Sequence, residues 1–392
     1  MKICVVGPSK RFFSGITVHT IFLANALAKQ NEVSVILLRN LLPRFLYPGK
    51  KHVGRDDYLV EFATNVNIYE GMNWDSPLSW FRAYRFLKQH SPDAIIMLWW
   101  TSSVAHMQLF LAWANKFKLK AVLILEMHET IDPLEERILP IRLYAKLAGR
   151  LLMRMADAFT AHSTSAKDQI ARIYGVNKDR IFVKPFGLYE GYKRDYHKDL
   201  ARKELGVEEQ FVILNFGSIR KYKGIPYLVK AFSALPEFVA NNSRLLIAGE
   251  DWGDDDELHK LIESSPYRHK ITLNAYFIPD EMIPVYFSAA DVVVLPYSDI
   301  FASAGSAVAQ IAMAYGKPII TSNFDTMREC LQEYDGVYFT PIGDFIAIRE
   351  EIAKLYQRAN SGGAIFYNPP HDTWAKIARQ YEEIVNQALT QL

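Results

Sequence analysis

The 392-residue sequence predicts an α/β protein built from two doubly wound, Rossmann-like domains. Three observations carry that expectation. Short, β-branched, nearly all-apolar runs recur along the whole chain, each followed by a turn and a helical pattern. The runs are continuous where one-sided strands would alternate, as in parallel strands buried on both faces. A glycine turn of nucleotide-binding type stands near the middle of the chain, at Gly217, so another domain of similar size is expected before it.

In the first half the strand runs are residues 3–6, 33–38, 94–98, 121–125 and 158–161; in the second they are 211–216, 244–248, 271–273, 292–295 and 318–321. The polar stretch 189–199, with four basic residues, reads as the linker between the two series. The expected organisation is therefore an N-terminal domain over 1–190 and a C-terminal, nucleotide-binding domain over 191–370. After Pro369-Pro370, Trp374, Ile377, Ala378, Tyr381, Ile384 and Val385 follow helical spacing, so 371–392 is expected as a terminal helix packed back across the domains.

Composition narrows the function. Forty-five basic residues balance forty-three acidic ones, for a formal net charge of +2, which argues against a nucleic-acid partner. Half of the residues are apolar, as in a globular protein. Only Cys4 and Cys330 are present, without metal spacing or a disulfide framework, which points to a reducing, cytoplasmic setting. The apolar run at 3–6 is too short for a signal-peptide core. Residues 94–115 lack Asp, Glu, Lys and Arg, but Thr101, Ser102, Ser103, His106 and Gln108 interrupt them, so strand, turn and helix are expected there and not a membrane span.

Ligands of open parallel sheets bind beyond the carboxyl ends of the strands. After the strand at 211–216 the chain reads Gly217-Ser218-Ile219-Arg220-Lys221-Tyr222-Lys223-Gly224 and then opens into a helix. Main-chain amides, a helix start and the cations Arg220 and Lys223 make a site for a dianion, most simply a diphosphate. Gly305, Ser306 and Ala307, preceded by Ser303, form a second small-residue helix start of the same kind. In the first domain Ser14-Gly15 opens a helix and brings backbone close to any phosphate or sugar. The strand at 121–125 ends in Glu126-Met127-His128-Glu129, a carboxylate and histidine grouping suited to polar recognition or proton handling. The acidic run Asp254-Asp255-Asp256-Glu257 reads as the first turn of a helix, and no metal site is expected.

The stretches Phe216-Gly217-Ser218-Ile219-Arg220-Lys221-Tyr222-Lys223-Gly224, Ile278-Pro279-Asp280-Glu281, Tyr286 through Tyr297, Ala312 through Pro318, and Glu329 together resemble glycosyltransferase family 4 (group 1), retaining nucleotide-sugar enzymes of the GT-B fold, in the variant reading F-G-x-I-R-x-Y-K-G. The resemblance implies two Rossmann-like domains facing a central cleft. It also implies metal-independent transfer of a hexose from a UDP- or GDP-hexose, used as a substrate with no cofactor. Carried onto this chain, Arg220 and Lys223 would hold the donor diphosphate and the amides after Gly305 would share that role. His128 would stand near the transferred sugar, and backbone groups near Tyr276 and Ile278 would meet the nucleobase. The chain departs from the family where two glutamates commonly stand: it has Ser303 and Ile311, of which Ile311 cannot bind a ribose.

Between Arg39 and Arg55, Arg39, Arg44, Lys50, Lys51 and Arg55 lie among apolar residues with no acidic residue in the stretch, and Arg142, Lys146, Arg150 and Arg154 recur every four residues as one helical stripe. These surfaces suit anionic lipid headgroups. The expected protein is thus a peripheral, cytoplasmic-face hexosyltransferase extending a lipid-linked or envelope glycan. The alternatives are a non-catalytic sugar-nucleotide-binding homologue or a GT-B sugar-nucleotide epimerase. A nicotinamide dehydrogenase is disfavoured because no G-x-G-x-x-G fingerprint is present.

Overall fold

A computed structural model of the chain describes residues 1–11, 15–41, 58–128, 139–207, 211–253, 256–298, 305–363, 365–371 and 373–390. It divides into two units, one of Met1–Pro185 with Asp372–Leu392 and one of Phe186–His371.

The first unit holds a seven-stranded sheet in the order β3-β2-β1-β4-β5-β6-β7, with every pairing parallel. Its strands are β1 (Lys2–Pro8), β2 (Glu32–Asn40), β3 (Asn67–Asn73), β4 (Ala94–Trp99), β5 (Val122–Met127), β6 (Ala158–Ala161) and β7 (Ile181–Val183). β4, β5 and β6 are buried along their whole length, as expected of runs covered by helices on both faces. The covering helices are α1 (Gly15–Leu27), α2 (Pro77–His90), α3 (Ala105–Ala114), α4 (Leu139–Met155) and α5 (Thr164–Tyr174). Ser163 caps α5, its hydroxyl accepting from the Ala166 amide at 3.0 Å.

The second unit holds a six-stranded parallel sheet in the order β10-β9-β8-β11-β12-β13. Its strands are β8 (Phe211–Phe216), β9 (Ser243–Ala248), β10 (Ile271–Asn274), β11 (Val292–Leu295), β12 (Ile319–Ser322) and β13 (Val337–Thr340). Its helices are α6 (Lys198–Leu205), α7 (Ile225–Ser233), α8 (Glu237–Asn241), α9 (Asp256–Ser264), α10 (Ile283–Ala289), α11 (Ala307–Ala314), α12 (Asp325–Leu331) and α13 (Phe345–Asn360). One core cluster joins Phe211, Ile213, Leu228, Phe232, Leu245, Val294, Ile320 and Ile352. The chain winds outward from β8 through β9 to β10 and then returns beside β8 as β11, so the β8–β11 junction is the switch point where such sheets bind ligands.

Two expectations need correction. The polar stretch 189–199 is no linker: Tyr192 is buried and donates its hydroxyl to Asp280 at 2.8 Å, and the Arg194 amide donates to the Tyr315 hydroxyl at 3.1 Å. The division falls earlier, between Pro185 and Phe186. The terminal helix α14 (Thr373–Leu389) is grouped with the first unit, where Trp374 lies 5.2 Å from His19 and Tyr381 is buried. Among the described residues no helix is long and apolar enough to cross a membrane. The uncharged stretch 94–115 forms β4, a 3-10 turn, all of α3 and the residue that follows it.

Two glycines with nearly the same backbone separate conformation from crowding. Gly206 (φ 63°) ends α6 with nothing within 4 Å of an added Cβ, whereas at Gly224 (φ 63°) that Cβ would lie 1.9 Å from the Pro296 carbonyl oxygen. Gly206→Ala should therefore cost about 1 kcal/mol, the penalty of a left-handed alanine. Gly224→Ala should cost more than about 3 kcal/mol, because crowding adds to that penalty. Urea unfolding of the two variants measures the difference; equal losses would mean that the Gly224–Pro296 approach is not a constraint.

Candidate functional site

In the second unit the turn after β8 is fastened to both neighbouring strand exits. The Gly217 amide donates to the Ala248 carbonyl at 2.9 Å, and a Cβ on Gly249 would strike the Gly217 carbonyl oxygen at 1.9 Å. The Ile219 amide donates to Glu250 at 2.8 Å, and on the other side the Ser298 amide donates to the Tyr222 carbonyl at 2.9 Å. Gly217 has φ 101°, a conformation that favours glycine, and its bare Cα faces two groups. A Cβ there would meet Val308 Cγ2 at 3.4 Å and the Lys223 ammonium at 3.6 Å. The turn, the cation and the first turn of α11 are thus gathered at one point.

The helix start is itself built. Ser306 caps α11, its Oγ accepting from the Ala309 amide at 3.2 Å and bonding to the Tyr297 hydroxyl at 2.7 Å. Gly305 is enclosed, since a Cβ on it would lie 2.6 Å from the Phe186 ring and 2.9 Å from Cys330 Sγ. Lys223 lies 5.1 Å from the Tyr297 ring centre and 5.7 Å from that of Tyr222, two rings that are near parallel at 6.3 Å. Burial pulls the Lys223 pKa down, but the phenols of Tyr297 and Tyr222 outweigh it and hold it above the ordinary value, so the group is a fixed cation. The Arg220 guanidinium lies 4.5 Å over the Trp252 ring and 5.3 Å from that of Tyr222. Both sequence-derived cations stand on the turn, positioned by aromatic faces that sequence reasoning did not include.

Tyr276 is exposed after β10, while Ile278 is buried. Ile311 is buried in α11. Ser303 lies outside the described residues, as do Ser14, Arg44, Lys50, Lys51, Arg55 and Glu129 and the side chains of Arg142 and Lys146.

In the first unit Gly15 is exposed at the start of α1. His128 follows β5 but is only 4% exposed, and it belongs to a cluster around Glu126. Glu126 Oε1 accepts from the Lys184 ammonium at 2.7 Å and from His19 Nε2 at 2.8 Å, and Oε2 accepts from the Tyr381 hydroxyl at 2.6 Å. His128 Nε2 and His162 Nε2 each lie 3.6 Å from Oε1. Burial alone would raise the Glu126 pKa, yet Lys184 and His19 hold it well below the usual value, so it is an ionised acceptor. Burial and the neighbouring His19 push the His128 pKa down to about 3, leaving a neutral imidazole that can donate or accept a hydrogen bond but carries no charge at neutral pH. The donor atoms of His19, Glu126 and His128 lie within 4.8 Å of one another, a spacing that a metal ion could bridge. The Lys184 ammonium already neutralises Glu126, however, and a divalent ion would bury a second cation beside it. His19, His162, Lys184 and Tyr381 were missed in the sequence. His162 and Lys184 directly follow β6 and β7, as His128 follows β5, and that shared position is the signal that was available.

Two family models tile the chain: Glycosyltransferase Family 4 matches residues 13–188 and Glycosyl transferases group 1 matches residues 197–365. A D-inositol 3-phosphate glycosyltransferase of Rhodococcus opacus (strain B4) is 31% identical over 175 residues, covering 43% of this chain and 38% of that protein. An O-antigen chain mannosyltransferase B of Escherichia coli is 25% identical over 222 residues, covering 55% and 52%. The matches thus span about half or less of these curated relatives' own length. Among solved structures, Anabaena Alr3699/HepE in complex with UDP and glucose is 18% identical with a TM-score of 0.65, and sucrose-phosphate synthase of Thermosynechococcus elongatus is 17% identical with a TM-score of 0.66; each match covers 100% of both chains. At those identities the likeness establishes the fold, two Rossmann-like domains of the GT-B type.

The Glu126 cluster has a pH consequence of definite sign. An imidazole whose pKa is lowered in the fold takes up a proton only in the unfolded chain as pH falls through about 6.5, so folding stability drops with acid. The depressed Glu126 pKa acts in the same direction below its unfolded value of 4.5. His128 alone should cost roughly 2 kcal/mol at pH 5 relative to pH 7.5. Urea midpoints at the two pH values measure the loss, and His128→Phe should remove its share while His19 and His162, also lowered by burial, keep theirs; a pH-independent midpoint would contradict the buried neutral assignment.

Proposed function

Because the chain belongs to the family 4, group 1 glycosyltransferases, we propose that it is a retaining hexosyltransferase using a nucleotide diphosphate sugar, UDP- or GDP-linked, as donor. One observation carries the reading: the Lys223 ammonium, the bare backbone of Gly217 and the first turn of α11 converge at the β8–β11 switch point. A diphosphate placed there meets a fixed cation, main-chain amides and the positive end of a helix without a metal ion. When the anomeric carbon–oxygen bond breaks, its electron pair remains on the departing diphosphate, and that growing charge is what Lys223 and Arg220 stabilise. The new bond forms from the acceptor oxygen to the anomeric carbon, and the acceptor's hydroxyl proton passes to the departing diphosphate oxygen. That a solved GT-B relative carries UDP and glucose supports a uridine donor by analogy.

On this reading the acceptor is a lipid-linked or envelope glycan at the cytoplasmic face of the membrane, a class consistent with the O-antigen mannosyltransferase among the relatives. His128, a neutral group held by the cluster around Glu126, is on this reading the first unit's hydrogen-bonding group for a sugar hydroxyl. Ile311 favours a second reading, in which the protein binds a sugar nucleotide without transferring the sugar, because a buried isoleucine leaves the ribose without the family's usual carboxylate.

Calorimetry with a panel of UDP- and GDP-hexoses, followed by assay for slow donor hydrolysis, separates the two. Transfer requires binding with turnover; binding without turnover favours the second reading; no binding to any donor rejects both. Lys223→Ala should weaken the preferred donor tenfold to a hundredfold, the loss of a charge-assisted contact worth about 1.5–3 kcal/mol. Unchanged affinity would remove Lys223 from the site.

A further inference from the structure

The first unit exposes large apolar side chains together on one face. α2, α3 and α4 lie side by side, α3 packing against both of the others. They are joined by a run of aromatic contacts: Phe81 to Phe110 at 5.3 Å, Phe110 to Trp80 at 5.8 Å, Trp80 to His106 at 5.4 Å, and His106 to Tyr144 through a 2.7 Å hydrogen bond. The outward stripe of α2 carries Leu78, Phe81, Arg82, Arg85 and Lys88 at helical spacing, all exposed. The end of α3 and the π turn after it (Asn115–Leu119) expose Trp113, Lys116, Phe117 and Lys118. The outward stripe of α4 exposes Leu143, Leu147, Arg150, Leu151 and Arg154. Leu147 is 66% exposed and Phe117 58%, values that a buried-core role does not explain.

Charge decides the occupant. Asp and Glu supply 43 of the 392 residues, yet neither occurs anywhere in α2, α3, the π turn or α4. Helices that alternate leucines and aromatic rings with Arg and Lys, and carry no acidic residue of their own, match the boundary between acyl chains and anionic headgroups. The apolar side chains enter the hydrocarbon edge while the cations reach the phosphates. Nucleic acid and acidic proteins would use the cations but gain little from Leu143, Leu147 or Phe81.

We propose that the outward face of α2, α3 and α4 is the surface by which this chain docks on an anionic lipid bilayer. This deepens the lipid-linked acceptor reading and rests on it for its purpose. It is tested without donor or acceptor, so either can fail alone. It extends the Arg142–Arg154 stripe expected from the sequence to a three-helix face that includes α2 and α3, while most of the stretch from Arg39 to Arg55 lies outside the described residues.

The test is flotation of the full chain with phosphatidylcholine vesicles, with and without about one third phosphatidylglycerol, at low and high salt. The chain should float with the anionic vesicles only, lose most of that binding in high salt, and show a blue shift of tryptophan emission when bound. Arg150→Gln with Arg154→Gln should weaken partitioning about thirtyfold, at roughly 1 kcal/mol per basic residue near the surface. Phe117→Ser with Leu147→Ser should weaken it at least tenfold with donor binding unchanged. Three results would overturn the proposal: no flotation, equal flotation with neutral vesicles, or wild-type partitioning by the Phe117/Leu147 variant, the last pointing to a purely electrostatic partner such as an acidic protein.

Discussion

Parallel pairing decides where the chemistry of this chain collects. Every strand of a parallel sheet ends at the same edge, so whatever residue follows each strand is delivered to one rim. In the first unit that rim receives His128 after β5, His162 after β6 and Lys184 after β7, and these meet Glu126 within hydrogen-bonding or near-contact distance. In the second it receives Gly217, Gly249 and Pro296, whose close approaches admit no side chain at Gly224 or Gly249. The strands contribute buried apolar area; the residues one step beyond them contribute polar groups and tight turns at the rim.

The Glu126–Lys184 pair shows how charge is handled away from water. Desolvating both groups opposes the pair, and burial does lower the Lys184 pKa. What offsets that penalty is complete ligation of the carboxylate: Lys184 and His19 on one oxygen, Tyr381 on the other. Tyr381 comes from the far end of the sequence, and Lys184 also lies 4.8 Å over its ring. The C-terminal helix is therefore held in the first unit by a specific polar contact as well as by Trp374 and Ile377. Apolar replacements of similar volume would hold a helix equally well, so the cost of this cluster is better explained by the neutral, oriented imidazoles it maintains than by stability.

Legibility from sequence followed burial. β6, β8 and β11 have the limits that their apolar runs indicated, because both faces of those strands are covered. β3, β7 and β13 were not read; each is a partly exposed edge strand, β3 broken by Asn67, Glu70 and Asn73, and β7 and β13 only three and four residues long. The stretch 189–199 was misread for the opposite reason. Its charges suggested solvent, whereas Tyr192 anchors it through Asp280 and the Arg194 amide through Tyr315, contacts that depend on partners roughly a hundred residues away in the chain. The turn from Gly217 to Gly224 was legible because glycine spacing is local. The cluster around Glu126 was not, since His19, Glu126, His162, Lys184 and Tyr381 come from five separate elements or strand ends.

Ile311 isolates what the donor site must do differently in this chain. A carboxylate at that position would stand on α11, whose start lies beside Gly217 and Lys223. Buried isoleucine there removes an acceptor, but it also removes a negative charge from the helix that faces the proposed diphosphate. The electrostatics at the turn then come from Lys223, Arg220 and the helix dipole with less opposing charge nearby, which favours a dianion more strongly while recognising the ribose less. On the proposed reading, a site so altered would shift discrimination from the nucleoside to the diphosphate and the sugar. Of the two residues that the resemblance places near the base, Tyr276 is exposed beyond β10 and Ile278 is buried.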